Sequence, residues 1–416
     1  MKPQITIYLD KRRAKKDDRY PVKLRVWDAS TKKAKIYPTG LDLNENDFDK
    51  AWNTKKPPKV LQELRVSLNG ILSKAEKVAE KLDPFTFEMF EKRLYRKAGD
   101  AQKVMYHYDA YMKYLLDQDR IGSADSYRNS KDAITDYLNH RGYMEPANLF
   151  FQDITPTWLE GFEKYMIETK ERSITTVGIY LRNLRAIFNK AIREGELEEA
   201  YYPFGKGKYQ IPSSAKVKKA LSVEQLKVLF ESKPKTPEQQ KAKDFWFFSY
   251  SLNGINAKDI AQLRYKQIEG DSLTFYRAKT IHTSKANLKP ISGYLTDYVK
   301  KVITTYGNSD KAPNNLVFDI ISDQCTAEEN HLRVKNFVRF INQHIKKLCK
   351  EIGLPENISY YWARHSYATN AVRQGASMEF IQESLGHTDT KTTQSYFAGF
   401  EEKAKKEIAN KLMDFS

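Results

Sequence analysis

The sequence reads WARHSYAT at residues 362–369, LGH at residues 385–387 and, nine positions later, a tyrosine at position 396. Each piece is common by itself. A glycine that follows a leucine is a usual helix end, and one tyrosine among 26 is most often a packing residue with a polar tip. Together they bring a permanently charged guanidinium (Arg364), an imidazole that titrates near neutral pH (His387) and a phenol (Tyr396) into one segment. This combination predicts a reactive site in which Tyr396 is the nucleophile.

A second basic motif, Arg277-Ala278-Lys279-Thr280, precedes this segment. With this motif, the Arg-His dipeptide at 364–365, the LGH turn and the late tyrosine, the chain resembles the tyrosine recombinase family, and within it the Bacteroides-type integrases of mobile elements. The resemblance covers nearly the whole chain and implies a multidomain fold. It consists of an N-terminal domain with a small β-sheet plus a helix, an all-α core-binding domain, and a mixed α/β, mainly α, catalytic domain.

The resemblance also implies an activity: a site-specific DNA recombinase that integrates or excises a mobile element. Tyr396 would form a 3′-phosphotyrosyl link and free a 5′-OH, without a metal or any other cofactor. The implied partner is double-stranded DNA, on which four protomers would exchange strands through a Holliday junction. A DNA-bending host factor is a further partner that the family allows.

The chemistry of the proposed reaction suits the residue types present. Attack of a phenol on a phosphodiester needs cationic donors for the non-bridging oxygens and an acid for the departing 5′ oxygen. Arg364 offers a fixed fork of donors, and His387 is expected to hydrogen-bond the phosphate or help to take the phenol proton. By the resemblance, Lys279 is the general acid, with Lys285 as its competitor. His365 is interpreted as a structural residue that orients its neighbour.

Two positions depart from the family pattern. Asn256 stands where an arginine is usual, and Tyr361 stands where a histidine is usual, three residues before Arg364. Asn256 with Asp259 three residues later also fits a helix N-cap. We expect another donor to replace the missing guanidinium, from three basic residues: Lys258, Arg264 and Lys285. The same departures motivate an alternative function, that of a catalytically weak relative that binds DNA as an accessory factor.

Composition supports a polyanionic partner. The formal net charge is +17 and the pI is about 9.4, and release of counterions from neutralised phosphates drives binding of such a chain to nucleic acid. The sequence has no run of roughly 18 apolar residues and no signal peptide, which predicts a cytoplasmic, DNA-associated bacterial protein. Cys325 and Cys349 lack the spacing of metal ligands or of a disulfide framework. The sequence also lacks the converging trio of carboxylates that a metal-dependent nuclease needs.

Four segments are predicted along the chain: an arm-type DNA-binding domain (1–100), a helical core-binding domain (101–200), a linker rich in Gly, Pro, Ser and Lys (201–219) and the catalytic domain (220–416). In the first, alternating β-branched and aromatic residues predict three strands: Ile5–Leu9, Tyr20–Trp27 and Lys35–Leu43. A helix follows from Leu61 to Leu82. The basic residues from Lys11 to Lys16 suit either a DNA-contacting edge or an ordinary solvated surface.

In the helical segment, Thr155 and Pro156 are expected to begin a helix, and another helix runs from Ile174 to Arg193. The polar face of that helix carries arginines that suit either DNA phosphates or solvent: Arg182, Arg185 and Arg193.

In the catalytic segment, Ser222 opens a capping box, and two strands are predicted: Leu273–Ala278 and Leu288–Ser292. A short amphipathic helix at residues 401–412 is expected to dock on a neighbouring protomer.

Overall fold

The computed structural model describes residues 2–96, 99–213, 219–279, 281, 289–387 and 390–397. The chain forms two compact units that alternate along the sequence. One contains Met1–Asp109, Thr135–Phe162 and Leu184–Gln210, and the other contains Ala110–Ile134, Glu163–Asn183 and Ile211–Ser416. This division into two units does not test the predicted domain boundaries at residues 100, 200 and 219, which stay predictions. None of the described helices combines the length and the apolar character that crossing a bilayer requires.

The N-terminal strands form an antiparallel sheet in the order β1 (Gln4–Leu9), β2 (Tyr20–Asp28) and β3 (Lys33–Leu43). The three predicted strands are confirmed to within two residues. Because side chains alternate across a strand, Ile7 and Leu24, which lie opposite each other, both enter the core. Three helices follow the sheet: α1 (Glu45–Phe48), α2 (Gln62–Glu80) and α3 (Phe87–Leu94). Residues of α2 and α3 share the core of the sheet.

Three of the basic residues that follow β1 have acidic partners within the same segment. Lys11 contacts Glu45, Arg12 forms two 2.8 Å hydrogen bonds to Asp10, and Lys15 lies 2.7 Å from Asp42. The Arg12 guanidinium holds the pKa of the Asp10 carboxyl well below its usual range. These pairs are mostly exposed, and pairs of this kind add little stability.

The next segment is helical, as predicted, with α4 (Val104–Leu116), α5 (Ile121–His140), α6 (Pro156–Lys164) and α7 (Ile174–Arg193). Thr155 caps α6 by accepting a 3.2 Å hydrogen bond from the Trp158 N–H, and α7 begins and ends at the predicted residues. The apolar side of α7 is buried, and its predicted arginines are all exposed: Arg182, Arg185 and Arg193.

The remaining helices are α8 (Val223–Glu231), α9 (Pro237–Ser251), α10 (Ala257–Ala261), α11 (Asp297–Tyr306), α12 (Ala327–Glu351), α13 (Trp362–Arg373), α14 (Met378–Leu385) and α15 (Thr390–Phe397). The predicted capping box is confirmed, because Ser222 and Gln225 bond each other's backbone at the start of α8. The aromatic run of α9 forms the centre of the core, where Phe245, Trp246 and Phe248 are almost wholly buried.

The second sheet corrects the prediction for this part of the chain. It has the order β4 (Ile268–Glu269), β5 (Ser272–Phe275) and β6 (Ile291–Tyr294). The predicted pair of strands is confirmed, since β5 pairs with β6, but β4 was missed, β5 ends three residues earlier than predicted and β6 extends two residues further. The predicted first strand was too long, since the Ala278 N–H donates to a side chain of α10 instead of a strand. Pro290 has no N–H for a ladder bond, and β6 begins after it, while Leu288 lies outside the described residues.

Candidate active site

Arg364 lies in the first turn of α13, and only 3% of its surface is exposed. Its Nη1 donates a 3.0 Å hydrogen bond to the Gly254 carbonyl, and its Nη2 donates to the Leu385 carbonyl. Its Nε has no hydrogen-bond partner among the described residues. Burial, helped by the charge of Arg277, lowers the pKa of Arg364 to about 10, so the group stays charged at neutral pH. The site therefore holds a fixed guanidinium whose Nε–H is still to be satisfied, and a buried donor of this kind calls for an acceptor.

Gly254 explains how Arg364 is seated, and the sequence reasoning missed it. This glycine has a φ of +67°, a backbone conformation that glycine adopts without steric cost. A Cβ built on it would lie 2.5 Å from the Arg364 Cα. The two backbones are therefore in direct contact, which brings the Gly254 carbonyl to the guanidinium.

His387 follows a helix end of the Schellman type. Gly386 has a φ of +60°, its N–H bonds the Glu383 carbonyl, and the His387 N–H bonds the Gln382 carbonyl at 2.9 Å. The predicted helix end is confirmed. Burial, followed by the charges of Arg364, Arg277 and Lys279, lowers the pKa of His387 to about 4. The imidazole is therefore neutral at neutral pH.

The neighbours of His387 identify which ring nitrogen carries its proton. Nε2 lies 3.3 Å from Nη2 of Arg364, and Nδ1 lies 3.0 Å from Oγ1 of Thr393. A guanidinium can only donate, so Nε2 accepts, and in the neutral ring the proton is on Nδ1. Nδ1 then donates to the Thr393 hydroxyl oxygen.

Tyr396 lies on α15 with 8% of its surface exposed. Its ring centroid lies 5.6 Å from that of His365 and 6.4 Å from that of His387, nearly parallel to the latter. Burial, and then the nearby Tyr361 hydroxyl, raise the pKa of Tyr396 to about 12, while Arg364 and Arg277 act in the opposite direction. The phenol is therefore protonated at neutral pH, and it would have to lose its proton to act as the predicted nucleophile.

Two further predicted positions adjoin this cluster. Tyr361 caps α13 and is half-exposed, with its ring edge-on to that of His365 at 4.8 Å. His365 therefore contacts the rings of Tyr361 and Tyr396, and burial lowers its pKa. These contacts place His365 beside Tyr396, the predicted nucleophile, while the prediction had it orienting Arg364.

Asn256 lies at the predicted N-cap of α10, and its carbonyl accepts the first helical bond, from Ile260, at 3.0 Å. Its side chain does not cap the backbone and instead contacts Asp259 Oδ2 at 3.4 Å. Asp259 accepts a 2.8 Å hydrogen bond from the Ala278 N–H, and burial raises the pKa of its carboxyl. This buried carboxyl thereby ties α10 to the segment that carries Arg277 and Lys279.

Arg277 is a functional candidate that the sequence reasoning missed, although it begins the quoted basic motif. Its Nη1 lies 3.3 Å from the Gly386 carbonyl, and its charge lowers the pKa values of Arg364, His387 and Tyr396. It thus brings a second guanidinium to the cluster from the end of β5. Lys279, two residues later, is exposed, and its charge also lowers the pKa of His387.

Of the three donors expected to replace the missing guanidinium, the two that the structure describes are placed less favourably. Lys258 is exposed on α10. Arg264 is held by Asp323 through hydrogen bonds of 2.6 and 2.9 Å, and also by the Asn314 carbonyl. Lys285 lies outside the described residues.

Among the described residues, one group has metal-ligand spacing: His107, Glu194 and Glu196, which all belong to the first unit. Cationic side chains already contact both carboxylates: Lys92 and Lys190 lie 2.9 and 2.6 Å from Glu194, and Arg96 lies 2.6 Å from Glu196. The His107 Nε2 contacts the Ala101 carbonyl at 2.8 Å. The group is therefore a network of buried ion pairs.

Comparisons with known proteins match both the helical and the catalytic segments. Residues 103–211 match the phage integrase SAM-like domain, and residues 219–403 match the phage integrase family. A tyrosine recombinase XerC from Listeria innocua is 23% identical over 286 residues, which is 66% of this chain and 86% of that protein. A tyrosine recombinase XerD from Oceanobacillus iheyensis is 24% identical over 274 residues, which is 63% of this chain and 84% of that protein.

Solved structures share the fold. The Tn1549 transposon integrase in complex with a circular intermediate DNA superposes with a TM-score of 0.53 and 14% identity, over 74% of this chain and 99% of that one. The post-cleavage complex of XerH site-specific recombinase with palindromic difH substrate has a TM-score of 0.50 and 14% identity, over 88% of this chain and 94% of that one.

Proposed function

The chain has the tyrosine recombinase fold and belongs, through its two matched domains, to the phage integrase family, and we propose that it cleaves and rejoins DNA at specific sites. Its substrate is double-stranded DNA, as the net charge of +17 also favours. Its biological role is to integrate or excise a mobile element of the Bacteroides type. The exposed arginines of α7 contact the DNA backbone.

One observation carries the proposal: the buried guanidinium of Arg364 with an unsatisfied Nε, next to a buried tyrosine. A phosphate oxygen is the acceptor that suits this donor, because a guanidinium binds phosphate with several parallel hydrogen bonds. Arg277, Arg364 and Lys279 concentrate positive charge around Tyr396 and His387. Charge of this sign stabilises the extra negative charge of a phosphate under attack.

The reaction follows from these positions. Tyr396 Oη attacks the scissile phosphorus, and the P–O bond to the 5′ oxygen breaks as the new 3′-phosphotyrosyl bond forms. Lys279 donates a proton to the departing oxygen, and the neutral His387 accepts the phenol proton. The 5′-OH of another strand later attacks the phosphotyrosyl bond and releases Tyr396. One phosphoester replaces another in each step, so rejoining needs no ATP, and cationic side chains supply the charge stabilisation.

Arg277 takes the place of the guanidinium expected at Asn256. It reaches the site from the end of β5, and its segment is anchored by the Asp259 bond to the Ala278 N–H. Two arginines then share the phosphate oxygens, one from α13 and one from the β5 end. This assignment replaces two of the basic residues considered from the sequence, because Arg264 is committed to Asp323 and Lys258 is exposed.

Strand exchange requires several protomers, and the assembly we propose is a homotetramer on DNA. Residues 401–412 lie outside the described residues, and the spacing of Ala404, Ile408 and Leu412 in the sequence predicts that they share one side of a short helix. The catalytic unit offers an apolar groove with a volume of about 670 Å³, lined by residues of α8, α9 and α13 that include Phe230, Tyr250 and Tyr367. This groove is the receptor we assign to the tail of a neighbouring protomer.

The experiment that tests the function is covalent trapping in EDTA. Labelled, nicked duplexes from the ends of the element are incubated with the wild-type protein and with Tyr396→Phe, and protein–DNA adducts are separated under denaturing conditions. We expect an adduct that forms with wild type and disappears in the variant, while site-specific binding is retained. An adduct that persists in Tyr396→Phe would show that another residue is the nucleophile.

The alternative function, a DNA-binding relative with weak catalysis, is motivated by Asn256 and Tyr361. Site-specific binding without an adduct from either protein would favour it. Restoring the usual family residues with Asn256→Arg and Tyr361→His is then expected to raise adduct formation. A variant pair that binds the site and still forms no adduct would confine the protein to an accessory role.

A further inference from the structure

A buried threonine lies on the helix that carries the nucleophile. Thr393 is three residues before Tyr396 on α15, and its side chain is fully buried. Residues three apart in a helix share a face, so the docking of α15 buries both side chains together. The Thr393 hydroxyl then meets His387 Nδ1 at 3.0 Å.

This contact extends into a chain of three groups. Thr393 Oγ1 contacts His387 Nδ1, and His387 Nε2 contacts Arg364 Nη2 at 3.3 Å. Because the guanidinium can only donate, Nε2 is the bare nitrogen and Nδ1 carries the proton. The Thr393 oxygen is the acceptor for that proton, so the tautomer of His387 depends on a side chain of α15.

We propose that Thr393 is a positioning residue that holds His387 in the Nδ1–H tautomer when α15 is docked. The proton-accepting Nε2 of His387 is then presented to the reaction only when Tyr396 is also in place. The inference rests on the proposed function of this site, and it adds a coupling between the nucleophile helix and the Arg364–His387 pair. If α15 moves away, the buried Nδ1–H loses its acceptor, and an unsatisfied donor of this kind weakens the Nδ1–H tautomer although Arg364 still faces Nε2.

Packing alone does not account for a hydroxyl here. A valine has nearly the same shape and would fill the same buried space, while a buried hydroxyl needs a hydrogen-bonding partner. His387 is also held from its other side, since Gln382 Nε2 donates to the His387 carbonyl at 3.2 Å. The backbone of His387 is thus fixed by α14, and its ring by Thr393 and Arg364.

The test is to measure the tautomer of His387 in the full-length protein. The protein is prepared with ¹⁵N-labelled histidine, and long-range proton–nitrogen correlation spectra distinguish the protonated from the bare ring nitrogen. His387→Gln assigns the signal among the seven histidines. Thr393→Val removes the hydroxyl and keeps the shape, Thr393→Ser keeps the hydroxyl, and Thr390→Val makes the same change at an exposed position of α15. Thermal unfolding establishes that each variant is folded at the temperature of the spectra.

We expect wild type, Thr393→Ser and Thr390→Val to show a protonated Nδ1 and a bare Nε2. In Thr393→Val the unsatisfied Nδ1–H should raise the share of the Nε2–H tautomer at the expense of the Nδ1–H tautomer. Adduct formation should be about tenfold to a hundredfold slower, the size of effect known for residues that orient metal-binding histidines. An unchanged His387 pattern in folded Thr393→Val would overturn the proposal, as would a Thr393→Ser variant that resembles Val. If the tautomer follows the hydroxyl while wild type forms no adduct, the positioning role stands and the proposed function fails.

Discussion

Gly254→Ala is the substitution that probes most directly how Arg364 is held. A Cβ at this position would lie 2.5 Å from the Cα, 2.7 Å from the Cβ and 2.6 Å from the Cγ of Arg364. Carbon atoms normally pack at about 3.5–4.0 Å, so the two segments must separate by about 1 Å. Two of the three atoms belong to or adjoin the backbone of α13, and no rotamer change can relieve that overlap.

The magnitude follows from two costs. A left-handed backbone costs a residue other than glycine about 1–2 kcal/mol, and forcing a methyl group into a packed core adds about 1–3 kcal/mol. We therefore expect Gly254→Ala to lose about 2–5 kcal/mol of unfolding free energy. A shift of about 1 Å at Arg364 should also slow adduct formation by about a hundredfold.

The matched control is Gly353→Ala, which has a φ of +72° and no atom within 4 Å of the added Cβ. It should lose only the backbone cost of about 1–2 kcal/mol and keep the wild-type rate of adduct formation. Urea unfolding gives the stability of each variant, and the trapping assay gives the rate. If both alanine variants lose the same stability and react at the wild-type rate, the close approach of Gly254 to Arg364 is refuted.

Three further predictions concern the site and its assembly. Arg277→Ala should slow adduct formation by about 10²–10³-fold, as expected for loss of a transition-state donor, whereas Arg264→Ala should react near the wild-type rate; equal effects would reject the assignment of Arg277. The pKa of His387 is lowered to about 4 in the folded protein, so that, as the pH falls, His387 takes up a proton in the unfolded chain before it does so in the folded protein. Stability from this group is therefore complete above about pH 6.5 and is lost toward pH 4, so wild type should lose up to about 3 kcal/mol more than His387→Gln across that window; parallel urea-unfolding curves would contradict this. Deletion of residues 401–416 should weaken synapsis of two sites in gel-shift assays more than binding to one site, and an equal loss of both would exclude a trans-docked tail.

Local patterns in the sequence sufficed for much of the fold. The capping box at Ser222, the Thr155 cap and the helix Ile174–Arg193 were placed correctly. These features depend on residues within about four positions of one another, which is the range over which helix bonds and caps act. The strand before the basic motif was predicted too long, because a side chain of α10 takes the Ala278 N–H.

The residues of the candidate site divide in the same way, into those that the sequence pattern indicated and those that only the folded chain revealed. Spacing and residue type singled out Arg364, His387 and Tyr396, and the fold brings these three together. Gly254, Arg277 and Thr393 emerged only from the folded chain. Gly254 and Arg364 are 110 positions apart, and Arg277 and Gly386 are 109 apart. Helix caps and apolar stripes are set by neighbours along the chain, whereas contacts across such distances depend on how helices and strands pack, which no local pattern encodes. The sequence thus singled out the candidate reactive groups, and tertiary packing decided which side chains hold them and bring charge to them.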